Sequence, residues 1–267
     1  MDKSKLAIGV FDSGMGGLTV LKALRHHLPQ ENFIYLGDTA RLPYGTKSAE
    51  TVQQYATQMT RVLIEKQIKA LVIACNTATT AALGHLQSLY PDLPVMGVVE
   101  PGAQAVIETT KNAKILVLAT ETTIASHAYH HAIQKGLPQA DVQGQACSLL
   151  VALAEEGIVQ HDIARLTLQY YLPHHIHQDT ILLGCTHFPV FKPLLESLLP
   201  HVNIVDSATA TAKLLEKILR EKDLLHSGPG HSTYLVTDAI TRFCGIGEIF
   251  LGEPISPQLV QLIDAGR

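Results

Sequence analysis

"LVIACNTATT" (Leu71–Thr80) places a cysteine, Cys75, directly after an apolar run. The apolar run predicts a buried strand, and the small residues that follow the cysteine predict a helix. A second stretch, "TILLGCTHFPVFKPLL" (Thr180–Leu195), has the same order around Cys185: an apolar strand, a cysteine, a threonine and a helix. A single similarity between these two stretches is weak evidence for an internal repeat. The residues upstream of each cysteine therefore decide whether the chain contains a repeat.

The resemblance between the two halves of the chain extends upstream. "IGVFDSGMGG" runs from an apolar stretch into Asp12, and "ILVLATETTI" runs from a similar stretch into Ala119. From Asp12 to Cys75 is 63 residues, and from Ala119 to Cys185 is 66 residues. Two strand-end motifs that recur at matching intervals predict two similar α/β domains.

Short apolar runs alternate with helical patterns along most of the chain, and this alternation predicts parallel strands joined by crossover helices. One helix is predicted over residues 120–133. We therefore expect an α/β fold with two similar doubly wound parallel-sheet domains that face each other across a cleft. The first domain is predicted to contain residues 1–98 and 207–267, and the second to contain residues 99–206. The predicted strands are "LAIGVF", "NFIYLG", "ALVIAC", "PVMGVV", "KILVLA", "DTILLG", "VNIVD" and a last strand near residues 234–237.

Composition excludes several classes of function. The 267 residues carry a formal net charge of −4, so no nucleic-acid partner is expected. The apolar runs are too short for a signal peptide or a membrane span, which predicts a cytoplasmic protein without a membrane partner. The four cysteines form no CxxC pair, and the histidine groups match no metal motif, so no metal is expected. The densest histidine group, expected to face solvent, contains His174, His175 and His177.

In open α/β sheets, ligands bind beyond the carboxyl ends of the strands, where Asp12, Cys75 and Cys185 are predicted to lie. A helix that begins just after each cysteine would lower the pKa of the thiol from about 8.5. Two such thiols on opposite walls of a cleft can remove a proton from one face of a carbon and deliver one to the other. A phosphatase with an arginine six residues after the cysteine is excluded, because Ala81 and Phe191 occupy those positions. A cysteine protease would leave the second cysteine without a role.

Two loops and one acidic pair are further candidates. "DSGMGG" (Asp12–Gly17) lacks the motifs that bind dinucleotides or ATP, and it is interpreted either as a tight turn or as a cradle for a carboxylate. "DTARLPYG" (Asp38–Gly45) ends in a tyrosine hydroxyl and a glycine amide that could contact a ligand. "LAEEGI" (Leu153–Ile158) contains two carboxylates, which by themselves are interpreted as a solvated charge pair.

Four motifs, "FDSGMGGLTV", "YLGDTARLPYG", "ACNTAT" and "GCTHFP", together resemble the glutamate racemases of the aspartate/glutamate racemase superfamily. The resemblance extends from about Ile8 to Ala208, and more loosely to Gly252. It implies interconversion of L- and D-glutamate without pyridoxal phosphate or metal, which would supply D-glutamate for peptidoglycan synthesis in a bacterial cytoplasm. Racemases of this kind often form homodimers, although no interface is recognisable in the sequence.

The resemblance also implies roles for single residues. Cys75 would act on D-glutamate with help from Asp12, and Cys185 would act on L-glutamate with help from His187. A carboxylate near the second cysteine is expected at Glu155, with the choice between it and its neighbour Glu156 left open. The positions expected to contact the substrate are Asp12, Ser13, Tyr44, Gly45, Asn76, Thr77, Thr186 and His187.

Two alternatives stay open at this point. The chain could be a racemase for aspartate or another amino acid of the same superfamily. It could also be a non-catalytic two-domain protein that binds a small dicarboxylate. The second alternative leaves the pair of strand-end thiols without a purpose.

Overall fold

The computed structural model describes residues 2–173 and 175–264. His174 of the histidine group and the termini of the first predicted domain, residues 1 and 265–267, therefore lie outside the described residues. The strands are β1 Ile8–Asp12, β2 Phe33–Gly37, β3 Ala70–Ile73, β4 Val95–Gly97, β5 Lys114–Ala119, β6 Asp141–Ala146, β7 Thr180–Gly184, β8 Asn203–Asp206, β9 Ser232–Val236 and β10 Val260–Leu262. The α-helices are α1 Leu18–His27, α2 Ala49–Glu65, α3 Asn76–Leu89, α4 Val99–Thr109, α5 Glu121–Ala125, α6 Ala128–Gly136, α7 Ser148–Glu155, α8 Asp162–Tyr171, α9 Lys192–Leu198, α10 Ala208–Glu221 and α11 Ile240–Leu251.

The larger sheet has six parallel strands in the order β10-β9-β2-β1-β3-β4. Every residue of β1 and β3 is buried, as expected for strands that are covered by helices on both faces. Strand β9 pairs with β2, so the segment after Asp206 returns to the first sheet. Helix α10 packs against α1, and α11 also contacts α1.

The smaller sheet has four parallel strands in the order β6-β5-β7-β8. The two parallel sheets confirm the predicted fold class. Strands of the larger sheet come from residues 8–97 and 232–262, and strands of the smaller one come from residues 114–206. The domain boundaries at residues 98 and 206 stay a proposal that is compatible with this distribution.

The order of strands reverses at an equivalent place in each sheet. In the larger sheet β1 lies between β2 and β3, and in the smaller sheet β5 lies between β6 and β7. A crevice for a ligand forms at the carboxyl ends of the two strands that flank such a reversal. Asp12 and Cys75 lie at one reversal, and Thr120 and Cys185 lie at the other.

Three features of the fold differ from the prediction. Strand β6 was not predicted because its sequence "DVQGQA" is polar, with Val142 as its one buried residue. The three-residue strand β10 is too short to stand out by composition. The helix predicted over residues 120–133 is broken into α5 and α6 because His127 adopts a left-handed backbone conformation with φ 53°.

Within residues 2–173 and 175–264, no helix has the length and hydropathy required to span a bilayer.

Candidate active site

Cys75 is the first of the two cysteines of the candidate site. It is the N-cap residue of α3, and its sulfur accepts a hydrogen bond from the Ala78 amide at 3.4 Å. The thiol donates to the Ser13 hydroxyl at 3.5 Å. This confirms that the cysteine lies where a strand ends and a helix begins. Cys75 is only 5% exposed, so its chemistry takes place away from bulk water.

The prediction that this thiol has a lowered pKa is wrong, although the Ala78 amide at the helix N-terminus does act in the predicted direction. Burial raises the pKa of Cys75 to about 12, and the negative charge of Asp12 raises it further. The hydrogen bonds from Ala78 and Ser13 act in the opposite direction but do not compensate for the loss of hydration. At neutral pH, therefore, Cys75 is a neutral thiol that can donate a proton.

Cys185 is the second cysteine of the candidate site and is 6% exposed. The predicted helix start directly after it is not present. A turn leads into a 3₁₀ helix, Phe188–Phe191, and α9 begins only at Lys192. Prolines at the first turns of both helices favour this stepwise entry. Instead of helix amides, the closest partner of the Cys185 sulfur is the Nδ1 atom of His187 at 3.8 Å.

His187 is held by Glu155 on its other side. The Nε2 atom lies 2.6 Å from Oε1 of Glu155, and both side chains are buried. Burial alone would lower the pKa of His187, but hydrogen bonds and charges from Cys185 and Glu155 raise it well above its usual value. An imidazolium at this position stabilises negative charge on the Cys185 sulfur.

The neighbouring acidic residue has a different environment. Glu156 is exposed and pairs with Arg242 of α11 at 2.9 Å, whereas Glu155 points into the site. The interpretation of both carboxylates as a solvated pair is therefore wrong for Glu155. Helix α11 also contacts the site, because its residue Phe250 packs edge-on against the His187 ring with centroids 5.3 Å apart.

Asp12 bridges the two halves of the chain, namely the part that forms the larger sheet and the part that forms the smaller sheet. One carboxylate oxygen accepts from the Gly14 amide at 2.9 Å, and the other accepts from the Thr186 hydroxyl at 3.3 Å. No hydrogen bond joins Asp12 to Cys75 among the described residues, so its effect on that thiol is electrostatic. Burial raises the pKa of Asp12 itself, and the nearby positive charge of His187 lowers it in part.

Tyr44 and Gly45 lie at the edge of the site. The Tyr44 hydroxyl donates to Asp38, so it is already engaged in the first half of the chain. The α-carbon of Gly45 is so close to the second half that a Cβ there would lie 2.5 Å from Cβ of Thr120. The contact of Tyr44 and Gly45 with a substrate stays a prediction.

Three buried threonines form a cluster of hydroxyls across the two halves. Thr77 Oγ1 lies 2.9 Å from Thr120 Oγ1 and 3.3 Å from Thr123 Oγ1, and the latter two are 3.0 Å apart. Only Thr77 was predicted from sequence. The internal repeat could have indicated Thr120, because it follows β5 as Ser13 follows β1.

Asn76 supplies an amide beside Cys75. Its Oδ1 atom accepts a hydrogen bond from the Tyr129 hydroxyl at 2.5 Å, and the residue is 3% exposed. In the part of the chain that the structure describes, its Nδ2 atom has no hydrogen-bond partner. The sequence had indicated Asn76 but not Tyr129.

A cavity of about 280 Å³ lies at the edge of this site, where Thr120 and Glu155 line it, and neither cysteine is among its lining residues. This volume is close to the lower limit of typical ligand pockets, which suits a small ligand. Both halves of the chain line it, including Pro43, Gly45, Thr46, Thr120, Val151 and Glu155. No group of three or more potential metal ligands is found among residues 2–173 and 175–264.

Comparison with known proteins places the chain in a family of isomerases. The family model for Asp/Glu/hydantoin racemases matches residues 18–215. A glutamate racemase of Geobacter metallireducens is 46% identical over 251 residues, which cover 92% of this chain and 93% of the relative.

Solved structures agree with this family. A glutamate racemase of Francisella tularensis, solved in complex with D-glutamate, superposes with a TM-score of 0.91 at 36% identity and covers 98% of this chain and 99% of its own. The isoform RacE1 from Bacillus anthracis gives the same TM-score and identity, over 97% of each chain. The chain therefore belongs to the Asp/Glu/hydantoin racemase family. Within that family it belongs to the glutamate racemases.

Proposed function

We propose that this protein interconverts L- and D-glutamate, with Cys75 and Cys185 as the two acid/base groups on opposite faces of the α-carbon. One observation carries this proposal: each half of the chain ends a strand in a buried cysteine, and the partners of the two cysteines differ. The similarity to glutamate racemases over nearly the whole chain supports glutamate as the substrate.

The partners of the thiols suggest their protonation before reaction. The raised pKa of His187 keeps an imidazolium beside Cys185, where it can stabilise negative charge that forms on the sulfur, whereas the raised pKa of Cys75 keeps that group a thiol. The Cys185 thiolate takes the α-proton of L-glutamate, so the C–H bond breaks and an S–H bond forms. The Cys75 thiol then gives its proton to the opposite face of the same carbon. The reverse reaction begins from the swapped protonation state.

The carbanion formed between these steps must be stabilised, because the α-proton of an amino acid is very weakly acidic. Its negative charge spreads onto the α-carboxylate, where hydrogen-bond donors in a site without bulk water are most effective. We assign this task to the hydroxyls of Ser13 and Thr77 and to the amide of Asn76. All three residues are buried around the cysteines.

The cellular location, the use of the product and the oligomeric state are proposed from the family rather than from the site. We propose that the protein acts in the cytoplasm, that its D-glutamate is used in peptidoglycan synthesis, and that it forms a homodimer. Sedimentation of the purified protein over a range of concentrations tests the dimer directly.

Circular dichroism of the purified protein with pure enantiomers tests the substrate. The optical signal of L-glutamate should decay to zero, and L-aspartate should decay much more slowly. Rapid loss of the aspartate signal beside stable glutamate would identify an aspartate racemase. Binding of glutamate in a calorimeter without any optical change would identify a non-catalytic binding protein.

A further inference from the structure

Tyr129 contacts both segments that carry the thiols. It lies on α6, is 2% exposed, and its hydroxyl donates to Asn76, the residue after Cys75. Its ring packs on the other segment, because a Cβ on Gly184 would lie 2.9 Å from the Tyr129 Cε2 atom. Gly184 directly precedes Cys185.

The hydrogen bond fixes which way the Asn76 amide faces. A hydroxyl that donates to Oδ1 leaves Nδ2 on the opposite side, with two hydrogens to donate. If the amide were turned over, its carbonyl oxygen would occupy the position of the unpartnered Nδ2 atom and would repel a carboxylate there. Burial raises the pKa of Tyr129 well above its usual value, so the hydroxyl keeps its proton throughout the working pH range.

The free amide group is itself evidence for a ligand. A buried donor without a partner is unfavourable, and such groups in native proteins need an explanation. The Nδ2 atom of Asn76 is in this situation within the described residues, and it belongs to the residue next to a reactive thiol. An anionic ligand oxygen in the site would satisfy it.

We propose that Tyr129 is a positioning residue, which acts through Asn76 by turning its amide hydrogens toward the α-carboxylate of the amino-acid substrate. This inference rests on the proposed function for the identity of the substrate. Because the carboxylate becomes more negative when the α-proton leaves, the oriented amide stabilises the transition state more than the ground state.

A double-mutant cycle tests whether Tyr129 acts through Asn76. Tyr129→Phe keeps the ring on Gly184 and removes only the hydroxyl, and it should lower kcat/KM for glutamate about tenfold. In an Asn76→Ala background the same change should have less than about a twofold effect, because the group that it orients is gone. Tyr234→Phe is the matched control: this buried hydroxyl accepts from Arg25 at the opposite edge of the larger sheet. It should leave turnover unchanged.

A tenfold loss from Tyr129→Phe in both backgrounds, or no loss in either, would overturn the inference. Asn76→Asp is a second variant that retains an acceptor for Tyr129 but removes the donor, and full activity in this variant would also contradict the inference. The same cycle measured on the dissociation constant of D-glutamate by calorimetry needs no turnover. Absence of racemisation in the parent protein would therefore reject the proposed function, while the binding cycle still tests Tyr129.

Discussion

At the scale of single residues, the two cysteines occupy different chemical environments. Cys75 is surrounded by a hydroxyl, a backbone amide and the negative charge of Asp12, and burial keeps its pKa high. Cys185 has the His187–Glu155 pair beside it. In the proposed mechanism this asymmetry makes Cys75 the acid and Cys185 the base when L-glutamate reacts.

Glu155→Gln should change the pH profile of the reaction. The carboxylate helps to raise the pKa of His187, so removing its charge lets the imidazolium lose its proton at lower pH. Because a raised pKa preserves the charged form up to higher pH, its loss should move the alkaline limb of kcat/KM about one unit toward acid. The measurement is kcat/KM from pH 6 to 10.

Glu156→Gln is the control for this experiment, because this exposed neighbour contacts Arg242 and not His187. Its profile should superimpose on that of the parent. Equal shifts in both variants, or no shift in either, would contradict the assignment of Glu155 as the partner of His187.

At the scale of elements, the turn between β1 and α1 presses directly against the second half of the chain. A Cβ on Gly16 would lie 2.5 Å from Nδ1 of His187 and 2.6 Å from Oγ1 of Thr186. The Thr19 hydroxyl of α1 donates to the Thr186 carbonyl at 3.0 Å. Glycine, which has no Cβ atom, is therefore required at position 16 for the two strand-end turns to meet.

Gly16→Ala should displace His187 from Cys185 and lower kcat/KM by about 10- to 100-fold, because small misplacements of acid/base groups are costly. The thermal midpoint should fall as well, because the displaced ring is buried and packs against Phe250. Steady-state kinetics and a melting curve measure the two effects. Gly84→Ala in α3, where a Cβ meets nothing within 4 Å, should keep full activity and stabilise the protein by about 0.5–1 kcal/mol. Unchanged kinetics for Gly16→Ala would show that the turn is not a constraint on His187.

The elements differ in how far the sequence predicts them. Apolar runs predicted the central strands, and the repeat around Cys75 and Cys185 predicted two facing sheets. The polar edge strand β6 and the break at His127 could not be predicted, because pairing at a sheet edge and a left-handed residue leave no apolar pattern.

In the site, motifs indicated the residues that follow strand ends. Contacts made by residues distant in sequence were missed: Tyr129 against Asn76, and Phe250 against His187. The pKa of Cys75 was mispredicted for the same reason, because burial by the whole fold outweighs the local helix terminus.

At the scale of the whole molecule, the site exists only where the two sheets meet. Hydrogen bonds cross between the halves at Asp12–Thr186, at Thr77–Thr120, and from the Thr122 hydroxyl to the carbonyls of Gly45 and Lys47. Closing the halves excludes water from the thiols and strengthens every interaction with the developing charge.

Gly45→Ala should interfere with this closure. The added methyl would lie 2.5 Å from Cβ of Thr120 in the other half, so the halves would have to separate slightly. We expect KM for glutamate to rise and kcat to fall, each by about tenfold, in steady-state assays. Gly245→Ala in α11 provides the control, since a Cβ there meets nothing within 4 Å. Kinetics equal to those of the control would mean that this contact does not limit closure.

The most direct test of the two-thiol mechanism follows deuterium during racemisation in D2O. Starting from pure L-glutamate, early D-glutamate should carry deuterium at the α-carbon while the remaining L-glutamate keeps its proton, because different groups remove and deliver the proton. NMR of the separated enantiomers measures both. Cys75→Ser and Cys185→Ser should each lower turnover at least about 100-fold, and Cys244→Ala in α11 should not. Deuterium appearing equally fast in the unreacted L-glutamate, or full turnover in either serine variant, would contradict catalysis by two opposed thiols.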